Sequence, residues 1–365
     1  MKNFILLAIC AIFLIACNEK PGYVISGTVD REDLNGKYIY LYEYGIKDAV
    51  VLDSTVVENG VFTFKGVQEA PVLRTLKFAD DAIDMDAYFY FAGFVPYMPW
   101  FVLDNSKLTI RVAENSSVTG SAENDKLTAY IKQMDELEKE AEMIDENAED
   151  AEGQFNQIFD KSMAVSKVYI LEHNNSLAAA ALFNNLRHML PEEDRREIIT
   201  NAGETFKLAP NIDKIIEHLD ILAKVAVGKK FVDFEMADVK GEMHKLSEYV
   251  GNGKVVLIDF WASWCPPCRR DMPHLVEVYE QYKMKDFEII GISLDSELTK
   301  WEKGIEDLNI SWPQLSDLKG WGNAGAVLYG VNNIPHTVLV DKDGTIIAKN
   351  IRGKALDEKL EQVIK

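Results

Sequence analysis

Cysteine and histidine are scarce in this sequence of 365 residues, which contains four cysteines and six histidines. Cys10 and Cys17 lie in or next to an apolar N-terminal stretch, so Cys265 and Cys268 are the only cysteines in the rest of the chain. One pair cannot build a disulfide-stapled scaffold. A structural zinc site needs about four ligands, and the histidines have no ligand spacing, so we expect no bound metal.

Positive charge is also in short supply. The sequence has 39 Lys and Arg residues against 59 Asp and Glu residues, which gives a formal net charge of −20 at pH 7. A charge of this sign and size repels nucleic acids and anionic lipid surfaces. We therefore expect no nucleic-acid partner.

The sequence lacks an apolar run long enough to cross a bilayer. Residues 4–15 are apolar, which is too short for a transmembrane helix and typical of a signal-peptide core. The run leads into Leu14-Ile15-Ala16-Cys17, which resembles the bacterial lipobox. The resemblance implies that residues 1–16 are a lipoprotein signal peptide and that Cys17 is lipidated. It places the chain in the cell envelope, lipid-anchored and facing the periplasm or the exterior. A secretory signal that merely contains a cysteine is the alternative.

The most informative segment is Trp-Cys-Pro-Pro-Cys at residues 264–268, which follows an apolar run at 255–261 that predicts a buried strand. The spacing allows the two sulfurs to bond within one helical turn. The first sulfur falls at a helix N-terminus, where unpaired backbone N–H groups and the helix dipole favour a thiolate. Because a thiolate attacks disulfides and a thiol does not, the segment predicts dithiol–disulfide exchange.

Residues 259–268 resemble the active-site segment of the thioredoxin superfamily, in the branch of bacterial thiol–disulfide oxidoreductases related to TlpA and ResA. Ile334 and Pro335 precede a second apolar run, as the cis-proline of that family does. The resemblance covers about residues 227–365 and implies a thioredoxin-like α/β domain. It also implies a cis bond before Pro335 and a proline loop that pairs with the substrate backbone.

The position in the helix and the resemblance together imply roles. Cys265 is the attacking thiolate and the more exposed sulfur, and Cys268 is the resolving thiol. Asp259 matches the buried acid that accepts a proton from the resolving thiol, and a purely structural carboxylate is the alternative. Trp264 and Ile334 are expected to contact the substrate.

Two further positions follow the second cysteine. Asp271 stands where ResA-like proteins place a glutamate beside the active site, with a shorter side chain here. Arg269 directly follows Cys268, and its positive charge would lower a thiol pKa. An ordinary solvated helix residue is the alternative for Arg269.

The N-terminal half has another character. Residues 17–121 cluster β-branched and aromatic residues between turn signals, which predicts a mainly β domain. It resembles an uncharacterised β-rich module found ahead of thioredoxin-like domains in Bacteroidetes lipoproteins. The aromatic run at 88–101 is interpreted as core, with a partner surface as the alternative. Residues 122–226 have apolar side chains at three- and four-residue steps, which predicts a helical connecting region.

Three functions are considered for this sequence. The first is an extracytoplasmic thiol–disulfide oxidoreductase that reduces protein disulfides, draws electrons from a membrane donor, and needs no cofactor beyond the Cys265–Cys268 pair. The second is a peroxiredoxin-like peroxidase, whose motif is Pro-x-x-x-Thr-x-x-Cys. Aligned on Cys265, Ile258 and Ala262 occupy the Pro and Thr positions, which disfavours it. The third is a non-enzymatic lipoprotein whose β module binds a ligand.

Overall fold

The computed structural model describes residues 22–45, 50–79 and 94–364. The chain forms two compact units, Met1–Asp213 and Lys214–Lys365. Cys10 and Cys17 lie outside the described residues, and so does the predicted signal peptide. Within the described ranges, no helix has both the length and the apolar character that a membrane span requires.

The first unit contains two four-stranded sheets. One sheet has the order β4-β1-β7-β8 and is formed by β1 (Tyr23–Val29), β4 (Val61–Gly66), β7 (Lys107–Val112) and β8 (Ser117–Thr119). The other has the order β3-β2-β5-β6 and is formed by β2 (Tyr38–Glu43), β3 (Val51–Val56), β5 (Val72–Phe78) and β6 (Trp100–Leu103). The mainly β character predicted for this region is confirmed.

The two sheets share one apolar core because their strands alternate. In β7, Leu108 and Ile110 are buried while Thr109 between them is exposed. Such side chains meet Phe101 and Ile39 of the other sheet in a single cluster. The described part of the aromatic run, from residue 94 to 101, belongs largely to the interior, with Phe101 fully buried. The rest of that run lies outside the described residues.

Six helices follow the strands, as the helical pattern predicts. They are α1 (Ala122–Glu142), α2 (Ala151–Glu172), α3 (Leu177–Leu186), α4 (Glu192–Asn201), α5 (Glu204–Lys207) and α6 (Ile212–Lys224). Ser121 and Ser176 cap α1 and α3 by accepting from backbone N–H groups three residues on. The helices up to residue 213 belong to the same compact unit as the two sheets. The domain boundaries at residues 121 and 226 stay predictions.

The second unit is a five-stranded mixed sheet with helices. Its strand order is β13-β12-β11-β14-β15, formed by β11 (Val255–Trp261), β12 (Phe287–Ser293), β13 (Gln314–Leu315), β14 (His336–Val340) and β15 (Ile346–Lys349). A hairpin of β9 (Glu235–Ala237) and β10 (Met243–Lys245) precedes the sheet. The helices are α7 (Pro266–Tyr282), α8 (Leu298–Asp307), α9 (Ala324–Leu328) and α10 (Lys354–Val363). The thioredoxin-like α/β fold is confirmed.

The central strand β11 positions the active site. All of its residues are buried, because β11 pairs in parallel with β12 and antiparallel with β14 and is covered by helices. Its carboxyl end leads through a short loop into α7, which begins at Pro266. Proline suits the first helical turn because its missing N–H has no partner there. The two cysteines therefore stand at the junction of the central strand and α7.

Candidate active site

Cys265 and Cys268 form a disulfide, with their Cα atoms 5.3 Å apart. Cys265 is the N-cap of α7, and the backbone N–H of Cys268 donates to its Sγ at 3.2 Å. Both residues are buried, with 3% of Cys265 and 1% of Cys268 exposed. This small difference in the oxidised form does not distinguish the attacking sulfur from the resolving one. The two sulfurs differ in position, because the Cys265 sulfur at the N-cap accepts the backbone N–H of Cys268.

The proline loop lies beside the first sulfur. The Ile334–Pro335 peptide bond is cis, as predicted from the sequence. The Sγ of Cys265 is 3.7 Å from the carbonyl oxygen of Ile334. Tertiary structure has thus brought together two segments that are far apart in the chain, and a sulfur bound to Cys265 would lie against this loop.

Asp259 is a buried carboxyl group on β11. It is 2% exposed, and it pairs in register with Thr337 of β14. The pKa of Asp259 is raised from 3.8 to about 7, mainly by burial and also by the negative charge of Asp271, while the positive charge of Arg352 opposes the rise. The carboxyl group is therefore poised to gain or lose a proton near neutral pH.

A cavity of about 100 Å³ connects Asp259 and Cys268 to the protein surface. Its inner wall includes these two buried residues, and its outer wall includes Asp271 and Arg352, whose side chains are 38% and 39% exposed. The cavity is large enough for water, which needs about 30 Å³ per molecule in the liquid. Asp271 thus lies in the same cavity as the predicted proton acceptor, despite its short side chain.

Arg352 was missed by the sequence interpretation. Its Nη2 donates to the carbonyl oxygen of Pro335 at 2.7 Å, and its Nη1 lies 3.4 Å from Oδ2 of Asp271. One side chain therefore links the proline loop, α7 and the mouth of the cavity. The sequence offered no signal for it, because Arg352 follows the last strand of the sheet and lies in no motif.

The segment before the cysteines is held by a residue that was also missed. Asp295, fully buried after β12, accepts from the backbone N–H of Ser263 at 2.9 Å and from its hydroxyl at 2.6 Å. A carboxylate two residues after the neighbouring parallel strand would have been a usable signal, because the ends of parallel strands meet at one edge of a sheet. Asp295 fixes the loop that carries Trp264.

Two exposed side chains flank the pair. Trp264 is 49% exposed, and its ring centroid lies 6.3 Å from that of Trp321. Arg269 is exposed, and its Nη1 donates to the carbonyl oxygen of Ser263 at 3.3 Å. Trp321 was not singled out in the sequence, although a tryptophan between Gly320 and Gly322 was a visible signal for an exposed aromatic turn.

His336 follows the cis-proline and is buried on β14 beside Phe260. Its pKa is lowered to about 4, mainly by burial and also by the positive charges of Lys349 and Arg352. Because neighbouring strand residues point to opposite faces, His336 faces away from the cavity that Thr337 lines. It is a neutral imidazole at physiological pH.

Among the described residues, one group has the spacing of a metal site. Asp238, Glu242 and His244, on the β9–β10 hairpin, place possible ligand atoms within 4.8 Å of one another. Hydrogen bonds explain this geometry without an ion. Asp238 accepts from the backbone N–H of Glu242 at 2.9 Å, and Nδ1 of His244 lies 2.9 Å from a carboxylate oxygen of Glu248. The group gives no reason to add a metal to the redox chemistry.

Comparison with known proteins matches both halves of the chain to families. Residues 227–349 match the AhpC/TSA family, and residues 23–127 match a family described as a domain of unknown function, DUF4369. The chain is also similar to the thioredoxin domain of a thiol–disulfide oxidoreductase from Bacteroides vulgatus. The two sequences are 34% identical, and the match covers 38% of this chain and 99% of the Bacteroides vulgatus domain, with a TM-score of 0.36.

Curated proteins similar to this chain are also named thiol-disulfide oxidoreductases. The chain is 33% identical over 144 residues to the thiol-disulfide oxidoreductase ResA of Bacillus thuringiensis, which covers 39% of this chain and 79% of the relative. It is 35% identical over 138 residues to the ResA of Geobacillus kaustophilus, which covers 38% and 76%. With the paired cysteines at the start of α7 and the cis-proline beside them, these similarities show that the chain belongs to the family of ResA thiol–disulfide oxidoreductases.

Proposed function

We propose that this oxidoreductase reduces disulfides of protein substrates outside the cytoplasm, with Cys265 as the attacking thiolate and Cys268 as the resolving thiol. One observation carries the assignment of roles. The Cys265 sulfur receives the N–H of Cys268 at the helix start and lies 3.7 Å from the Ile334 carbonyl oxygen. A thiolate there is stabilised by the helix end and lies beside a loop that an extended peptide can pair with.

The proposed reaction transfers two electrons in two exchange steps. The Cys265 thiolate attacks one sulfur of the substrate disulfide, which forms a mixed disulfide and releases the other substrate sulfur as a thiolate. Cys268 then loses its proton and attacks the Cys265 sulfur. This forms the Cys265–Cys268 disulfide and releases the second substrate thiolate. The substrate gains the two electrons that the cysteine pair loses.

Asp259 is the proposed acceptor of the Cys268 proton. It shares the cavity with Cys268, and its pKa of about 7 makes proton uptake and release nearly balanced at neutral pH. The proton then passes to solvent through the cavity mouth between Asp271 and Arg352. A carboxyl group with an ordinary pKa would be a much weaker base at this step.

The oxidised pair must be reduced again for a second turnover. We propose that a membrane protein supplies the two electrons, and that lipidated Cys17 holds the chain near that donor in the cell envelope. The basis is the lipobox-like sequence that ends at Cys17. A lipid-anchored protein searches a membrane surface, which raises its encounter rate with a membrane donor.

A reductase assay beside a peroxidase assay tests the reaction. We expect the reduced protein to reduce insulin disulfides, with thiols consumed and no oxidant needed. We expect hydrogen peroxide to be consumed no faster than by free thiols, since Ile258 and Ala262 replace the Pro and Thr of the peroxidase motif. Rapid peroxide consumption with inert insulin would instead establish a peroxidase.

Mass spectrometry of the N-terminal peptide from cells tests the location. The expected product begins at Cys17, lacks Cys10, and carries a diacylglyceryl group. Cys17→Ser should abolish the lipid mass and release the protein from the membrane fraction. A mature chain that begins elsewhere, or an unmodified Cys17, would contradict the anchored location without affecting the reductase activity.

A further inference from the structure

An exposed tryptophan lies close to the redox pair without belonging to the cysteine segment. Trp321 occupies the 3-10 turn Gly320–Gly322 and is 49% exposed, as is Trp264 beside Cys265. Their ring centroids are 6.3 Å apart, and the ring planes are tilted by 58°. The two rings form one aromatic surface, which we call the Trp264–Trp321 platform.

Hydrogen bonds hold the Trp321 side of the platform. The Asp317 carboxylate accepts from the backbone N–H of Lys319 before the turn and of Ala324 after it, at 3.2 and 3.0 Å. Asn323, fully buried, donates to the carbonyl oxygen of Ser293 at 3.3 Å and so ties the turn to the end of β12. Trp321 is therefore presented on a fixed turn.

The Trp264 side is held as firmly. Ser263 is bound through its N–H and hydroxyl by the buried carboxylate of Asp295. The backbone N–H of Cys265 donates to the carbonyl oxygen of Ala262 at 3.1 Å. The backbone that carries both exposed rings is thus held in place before any partner arrives, so binding a partner there requires little ordering of the main chain.

The geometry of the mixed disulfide determines which part of the substrate lies on the platform. A substrate sulfur bonded to Cys265 places the substrate's own chain against Trp264, because neighbouring residues are only about 3.8 Å apart along a chain. The side chain next to the substrate cysteine is then within reach of both rings. Tryptophan is among the residues that most often dominate binding energy at protein interfaces, and its ring packs well against apolar and aromatic side chains.

We propose that the Trp264–Trp321 platform binds an apolar or aromatic side chain next to the reactive cystine, so that the enzyme selects protein disulfides with such neighbours. The proposal deepens the reductase function and rests on it. Trp321 is a specificity-determining residue in this scheme, since it contacts the substrate beside the reacting sulfurs and takes no part in the exchange itself.

Three disulfide probes test the proposal. Two are synthetic cystine peptides of equal length and charge, one with Phe and one with Ser next to the cysteine. The third is glutathione disulfide, which has no apolar side chain there. For the wild type, we expect kcat/KM for the Phe peptide to exceed that for the Ser peptide about tenfold, because the Phe peptide has the lower KM at a similar kcat. Trp321→Ala should reduce this ratio to about two or less, and Trp321→Phe should keep most of it.

The control variant is Met284→Ala, whose side chain is 88% exposed and lies beyond the far end of α7. It should leave all three rates and the peptide ratio unchanged. The proposal is overturned if the wild type reduces both peptides equally, or if Trp321→Ala slows all three probes by one common factor. A protein dimer that dissociates in Trp321→Ala, with no peptide preference, would assign the platform to self-association. A wild type inert towards every probe would instead contradict the proposed reductase function.

Discussion

The two compact units bury polar side chains in contrasting ways. In the first unit, Asn124 is fully buried between α1 and β6, where it accepts from the N–H of Val102 at 3.0 Å and donates to its carbonyl oxygen at 2.8 Å. In the second unit, buried Asp259 faces a cavity, and its pKa is raised to about 7. A buried polar group that is fully hydrogen-bonded stabilises a fold, whereas a buried carboxyl group left near a cavity can exchange protons.

The contrast extends to how each unit would respond to pH and to redox state. Among the described residues of the first unit, tyrosines such as Tyr130 and Tyr169 have raised pKa values caused mainly by burial, and stay neutral at physiological pH. The second unit holds the cystine and a carboxyl group that titrates near neutrality. We therefore expect the disulfide exchange to depend on the second unit and to be insensitive to substitutions in the buried interior of the first.

The largest expected effect is on the cysteines. Cys265→Ser should lower disulfide reduction to the rate of uncatalysed exchange, because no thiolate remains at the helix start. Cys268→Ser should trap a mixed disulfide with substrate, because the resolving sulfur is gone. Gel mobility without reductant, with mass spectrometry of the adduct, measures both. Faster alkylation of Cys268 than of Cys265 in the reduced protein would reverse the two roles.

The next effect concerns Asp259. Asp259→Asn should slow the resolving step about tenfold or more near pH 7, since a positioned general base contributes about a hundredfold or more. The first attack by Cys265 should change less, because that thiolate depends on the helix end. Stopped-flow reduction of a model disulfide from pH 6 to 9 separates the two steps. Equal resolving rates across that range would leave Asp259 with a structural role.

Asp259→Asn should also change how the free energy of unfolding depends on pH. The folded-state pKa of Asp259 is about 7, above the ordinary 3.8. At a pH between these two values, Asp259 is therefore protonated in the folded protein and ionised in the unfolded chain. The wild-type free energy of unfolding therefore falls as pH rises from about 4 to about 7, by at most about 4 kcal/mol. Asp259→Asn should remove this fall and be the more stable protein at pH 8. Tryptophan fluorescence reports mainly on this unit, which holds five of the six tryptophans.

A smaller effect is expected from Asn124→Ala in the first unit. The substitution leaves the buried N–H and carbonyl oxygen of Val102 without their partner, which should lower the free energy of unfolding by about 1–3 kcal/mol. The loss should be independent of pH, and disulfide reduction should be unchanged. Calorimetry at two pH values measures it, with exposed Lys126→Ala on the same helix as the control. A slower reductase in Asn124→Ala would break the division between the units.

The smallest effect concerns the charges at the cavity mouth. Arg352→Gln should move the pH midpoint of the resolving step upwards and Asp271→Asn should move it downwards, each by less than about one unit, since each charge is partly exposed and screened by solvent. Arg352→Lys keeps the positive charge but loses the two-pronged contact with Asp271 and Pro335. Its pH midpoint should therefore stay near the wild-type value. If all three variants move the midpoint the same way, packing rather than charge sets the pKa of Asp259.

Much of the second unit was predictable because its signals are local. The helix that the sequence predicts to start at the first cysteine is α7, which begins at Pro266, since a cysteine cap and a proline-rich first turn specify the start. The largely apolar run at 255–261 coincides with β11. The burial of Asp259 and the cis bond before Pro335 also agree with the prediction. The roles of the site residues stay predictions.

The sequence by itself determined the chemistry available to this protein: one cysteine pair at a strand-to-helix junction, a carboxyl group inside an apolar strand, and an Ile-Pro step before another strand. These are short-range patterns, and short-range sterics and capping specify them. Only the tertiary structure decided which distant residues complete the site. Arg352, Asp295 and Trp321 contact Pro335, Ser263 and Trp264, the residues around the cysteines, because the ends of neighbouring strands converge at one edge of the sheet. Contacts between residues far apart in the chain leave no periodic signal in the sequence, since they depend on strand order and register.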